Sequence, residues 1–186
     1  HKKGGDIIKP FYPTADVLIN NLCPAYRTGA EAYFFFNKFN NKALLRFDLS
    51  SISDSSTILS AKLKLTKTSV STSGGINTKT AYSISAANAD WIEGTTVNAQ
   101  AKAGEPCWDA KEADGLGGVT TAWAGSAGME TSGTDYEATS LGSMINTRSD
   151  PQYTQYELEF NSDGLTRLQG WIGLAATNYG MIVEIT

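Results

Sequence analysis

Histidine is the scarcest chemistry in this chain. The sole imidazole is His1, the first residue, so Ser-His-Asp and Cys-His catalysis and imidazole-based metal sites are nearly excluded. Cysteine is almost as scarce. Cys23 and Cys107 are expected to pair as a disulfide closing a long loop, worth about 4–5 kcal/mol on the chain-entropy model; two buried thiols are the other reading. Positive charge is also short. Fifteen Lys and Arg against nineteen Asp and Glu leave a net charge of -4. There is no basic stripe to neutralise phosphates, so a nucleic-acid partner is not expected, and an acidic glycan would need a local basic patch. No apolar run approaches the roughly 20 residues that span a bilayer, so no membrane partner is expected. No apolar h-region follows His1-Lys2-Lys3-Gly4-Gly5, and residues 1–5 are expected to be disordered or a boundary remnant. Tandem repeats and linkers are absent too, which favours a single β-sandwich domain over residues 1–186.

What is present is alternation. Ala61, Leu63 and Leu65 interleave with Lys62, Lys64 and Thr66, and Leu45, Phe47 and Leu49 with Arg46, Asp48 and Ser50. Tyr156, Leu158 and Phe160 do the same against Gln155, Glu157 and Glu159, as do Met181, Val183 and Ile185 near the end. A period of two with one apolar and one wet face predicts half-buried antiparallel strands, hence an all-β sandwich or barrel. Further strands are expected near residues 14–19 and 80–85. The aromatic run Phe34-Phe35-Phe36 reads as a core strand. A short helix or turn is expected over 139–148, one or two helical turns over 162–170, and a closing strand at 171–174. On the outer face of their strand, Arg46 and Asp48 suit a cross-strand ion pair. Trp91 and Trp171 read as core.

Residues 94–139 break the pattern. They are rich in Gly, Ala, Thr and Asp, with Trp108, Trp123 and Tyr136 widely spaced. A segment this long without periodicity is usually functional or hides structure.

Arg46-Phe47-Asp48-Leu49-Ser50, followed by Ile58-Leu59-Ser60-Ala61-Lys62-Leu63-Lys64-Leu65, resembles the DNRLRE-type domain, as do Trp91-Ile92-Glu93-Gly94 and the closing Asn178-Tyr179-Gly180 strand. The resemblance extends over most of the chain, although Thr96-Val97-Asn98 stands where that family has Thr-Trp-Asn. It implies a jelly-roll β-sandwich of two antiparallel sheets, secreted or at the cell surface, joined to other modules of a larger polypeptide. Some members are classed as carbohydrate-binding modules.

A sugar presents an apolar C–H face to a flat aromatic, and its hydroxyls need polar partners. Trp108, Trp123 and Tyr136 are the stacking candidates, with Trp108 and Trp123 equally suited to capping the end of a sandwich. Asn98, Lys111 and Arg148 are polar candidates. A structural calcium would need about 6–8 oxygens, for which Asp109, Asp114 and Asp135 are the candidate ligands and a solvated acidic loop the plainer reading. Glycoside hydrolysis needs two carboxylates at a set separation, and nine acidic residues between Asp90 and Glu137 offer too many pairings to single one out. The expected function is therefore non-catalytic polysaccharide binding. A structural spacer or adhesion domain is the alternative, and a small lyase or hydrolase a third.

Overall fold

The computed structural model describes residues 8–22, 24–28, 41–69 and 75–186. Its strands are β1 (Pro13–Asn20), β2 (Tyr26–Thr28), β3 (Asn41–Phe47), β4 (Lys62–Thr66), β5 (Ile76–Ile84), β6 (Val97–Gln100), β7 (Glu112–Ala113), β8 (Val119–Thr121), β9 (Tyr136–Thr147), β10 (Gln155–Phe160) and β11 (Met181–Ile185). Among the described residues one α-helix, α1 (Ser162–Gly173), joins them. Nine strands form one antiparallel sheet in the order β4-β10-β9-β5-β11-β3-β1-β2-β6, and β7 with β8 makes a separate ribbon. The all-β class is as expected. Nine of the described strands form one large sheet with a core on each face, where two facing sheets were expected.

The central strands explain the two cores. In β3, Ala43, Leu44 and Leu45 are all buried, and in β11 so are Met181, Ile182 and Val183. Successive strand residues point to opposite faces, so both faces must be covered. One face gathers Ala43, Leu45, Leu63, Leu158, Met181 and Val183, with Leu168 and Trp171 of α1. Because this core joins Leu63 on the edge strand β4 to Ala43 on β3, the sheet curls around it. The alternations at β3, β4, β10 and β11 all mark this core.

The other face carries Val17, Ile19, Leu44 and Ile182 beneath Trp91, Trp108, Trp123 and Met129. The long unpatterned segment is thus a lid over this part of the sheet. Trp91 Nε1 donates to the Tyr179 carbonyl at 2.9 Å and Trp123 Nε1 to the Cys107 carbonyl at 3.0 Å, so these two buried indoles keep their hydrogen bonds. Cys107 is buried beside Ala101, Ala110 and Ala113. Its suggested pairing with Cys23, and the run Phe34 to Phe36, fall outside the described residues.

Three local expectations change. Residues 139–148 belong to strand β9. Two register shifts against β5 alter which face each residue takes, so the apolar spacing imitates a helix. Trp171 lies in α1, which runs to Gly173, with no strand at 171–174. Leu168, Trp171 and Ile172 continue its buried stripe, and the Asn161 side chain accepts from the Gly164 N–H at 2.8 Å as N-cap. Among the described residues neither Arg46 nor Asp48 has a cross-strand ion pair. The Arg46 guanidinium lies 4.6 Å from the Trp91 ring centroid and donates to the carbonyls of Ala89 and Trp91; Asp48 accepts from the Ser50 N–H.

Candidate functional site

The stacking candidates are largely absorbed by packing. Trp108 and Trp123 are each 4% exposed, which leaves no indole face for a sugar ring. Lys111 is buried as well. The Asn98 side chain lies outside the described residues. Asp135 is fully buried and accepts from the Gly125, Ser126 and Thr131 N–H groups and from Asn88 Nδ2, at 2.8–3.1 Å. Asp114 accepts from the Leu116 and Gly118 N–H groups, which hold its carboxyl below the usual range. Among the described residues no group of three acidic, Cys or His side chains could hold a metal ion, so Asp109, Asp114 and Asp135 are not gathered into one. Glu105, one of the acidic residues considered for hydrolysis, is likewise taken up by Thr95, Thr96 and the Lys102 N–H.

Tyr136 and Arg148 remain, and the structure places them at opposite ends of one strand. Tyr136 begins β9 and Arg148 follows its last residue, roughly 40 Å apart along an extended chain. Tyr136 lines a cavity of about 360 Å³ with Lys42, Glu130, Glu184 and Ile185. Lys42 Nζ is 2.9 Å from Glu184 Oε2, donates to the Met129 carbonyl at 3.0 Å, and sits 5.7 Å from the Tyr136 ring centroid. The Tyr136 hydroxyl donates to Glu184 Oε1 at 3.4 Å, and the Tyr82 ring lies 4.9 Å from that of Tyr136. Burial, reinforced by Glu184 and Tyr82, pushes the Tyr136 hydroxyl up to about 12, so it keeps its proton at neutral pH.

From this cavity the same face continues into the open. Register pairs Thr80 with Ser143 and Glu184, Thr78 with Ile145, and Ile76 with Thr147, and paired residues share a face. The Trp lid does not extend over this end, for Ile76 is 70% and Ile145 67% exposed. The result is a strip of hydroxyl and branched aliphatic side chains, closed at one end by a Lys–Glu–Tyr cluster. Arg148 is exposed at the other end.

Sequence reasoning missed Lys42, Glu184, Ile76, Thr78 and Ile145. A signal existed for one of them: Glu184 interrupts the apolar run Met181-Ile182-Val183-Glu184-Ile185. The apposition of Lys42 and Glu184 rests on the pairing of β11 with β3, which no local pattern encodes.

Compared with protein-family models and with curated proteins, the chain matches none.

Proposed function

We propose that this protein is a non-catalytic carbohydrate-binding module, secreted or held at a cell surface within a larger polypeptide, whose polysaccharide lies along the open face of β5 and β9. The observation that carries this reading is the uncovered strip on an otherwise roofed sheet face. Ile76 and Ile145 offer apolar contact for the C–H face of a sugar. Thr78, Ser143 and Thr147 offer hydroxyls, and the Lys42–Glu184 pair supplies a charged donor and acceptor at the end. An open face suits a chain ligand, since successive sugar units contact successive strand positions. The resemblance to DNRLRE-type domains points the same way.

One observation favours the spacer or adhesion reading: the four indoles are all buried, so no indole platform remains.

Affinity electrophoresis against xylan, glucans, mannan, pectin and alginate, with calcium and with chelator, decides between them. Binding predicts retardation by one class, lost in Ile145→Asp, which places a charge on the strip without touching the core. Retardation unchanged in that variant would remove the site from this face. No retardation by any polysaccharide would favour the spacer.

A further inference from the structure

Lys79 of β5 is buried, at 6% exposure. Register pairs it with Met144, which belongs to the core under α1, and pairs Asn77 with Asn146. Asn146 of β9 is therefore the diagonal neighbour of Lys79 on the same face. Lys79 Nζ donates to Asn146 Oδ1. Such a bond brings the nitrogen within about 4 Å of the amide carbon, close to the roughly 3–3.5 Å of a near-attack pair.

The surroundings suit acyl transfer between these two side chains. The Tyr156 hydroxyl, from β10, donates to Asp150 Oδ2 at 2.7 Å and is also hydrogen-bonded to the Asn146 side chain. With Oδ1 taken by Lys79, that second bond falls to Nδ2, the atom that would leave. Lys67, just beyond β4, holds its ammonium on the carbonyls of Arg148 and Asp150. Among the described residues, Lys67, Asp150 and Tyr156 are thus the titratable groups gathered around Lys79. Burial, and then Lys67, pull the Lys79 ammonium down to about 8. Desolvation and a neighbouring cation are the usual means of making a lysine nucleophilic. Desolvation, and then Asp150, push the Tyr156 hydroxyl up to about 12, so it keeps its proton while Lys79 loses its own. Turning the amine into an amide also removes a buried charge.

We infer that Lys79 and Asn146 join as an intramolecular amide cross-link between β5 and β9. The neutral Lys79 Nζ attacks Asn146 Cγ. The Nζ–Cγ bond forms, the Cγ–Nδ2 bond breaks, and ammonia leaves. The proton that Nζ gives up ends on Nδ2, with Tyr156 as the relay, and no oxidant or outside reactant takes part. While the amine is charged the side chains stay unlinked, so joining is expected as the pH rises through about 8. The link fastens the two strands of the proposed polysaccharide strip from their other face, and it does not depend on what that strip binds.

The test moves the protein from pH 6 to pH 9 and follows its intact mass and tryptic peptides by mass spectrometry for a week. The mass is expected to fall by about 17 Da, one ammonia. The peptides holding Lys79 and Asn146 are expected to become joined, with trypsin no longer cutting after Lys79. An asparagine also loses ammonia by cyclising onto its own backbone, so the joined peptide is the deciding readout. Lys79→Met and Asn146→Leu are expected to give none, and Tyr156→Phe to slow joining by at least about tenfold. The peptide map of the parent needs no variant, so a variant that fails to fold leaves the test intact. No joined peptide from the parent after the week, or a loss of ammonia that Lys79→Met undergoes equally, would overturn the inference. An unchanged rate in Tyr156→Phe would overturn the relay.

Discussion

At the scale of single residues, the most consequential groups are buried polar ones. Asp135 gathers four donors, three N–H groups of the lid and the Asn88 side chain that precedes it. Asp135→Ala strands them all, so it should cost at least about 3 kcal/mol, read as a shift in the urea midpoint. Lys79 tests electrostatics. Burial, and then Lys67, pull its ammonium down to about 8. In the unfolded chain it titrates near 10.4, so between those values the unfolded state binds more protons and stability rises with pH. The cost of charging Lys79 is fully present below about pH 8 and relieved toward pH 10.5. Lys79→Met should therefore be more stable than the parent by about 1–3 kcal/mol at pH 7, with the gap closing by pH 10.5. Paired denaturation curves across that range measure it. A gap independent of pH would mean that Lys79 is not desolvated.

At the scale of elements, close approach decides which residues are allowed. Gly164 lies in the first turn of α1, where a Cβ would sit 2.2 Å from the Leu141 carbonyl oxygen of β9. The helix therefore docks against β9 with backbone where a side chain would stand. Gly128 has φ +72° and packs under the Trp108 ring, where a Cβ would lie 2.2 Å from the indole. Alanine normally stabilises a helix relative to glycine by up to about 1 kcal/mol. Gly164→Ala and Gly128→Ala should instead each destabilise by about 2 kcal/mol or more, visible as lowered melting temperatures. Strand boundaries were legible wherever one face was wet, and β4 and β10 show why. Lys62 and Lys64 pair with Glu157 and Glu159 across the two strands, so the polar half of each alternation was as informative as the apolar half. In β9 the bulges shift residues between faces, and a period of two could not be followed through them.

At the scale of the molecule, the lid is the main revision. Its Gly- and Ala-rich sequence looked like a ligand loop, yet it brings Trp108, Trp123 and Met129 onto Leu44 and Ile182. All four indoles should resist an aqueous quencher, and fluorescence should show low accessibility until the protein unfolds. Quenching of about half the native emission would contradict the burial of the lid tryptophans. The same lid stops short of Ile76 and Ile145, and that boundary creates the proposed polysaccharide face.

The sequence by itself determined the all-β class and the strands of the first core, because burial on one face imposes a local period that any neighbour would respect. Only the tertiary structure decided that Trp108 and Trp123 serve the core, that Asp135 is an internal acceptor, and that Tyr136 meets Lys42 and Glu184. Those facts depend on which distant strands pair and on what a patternless segment comes to cover, and neither leaves a period in the residues that take part.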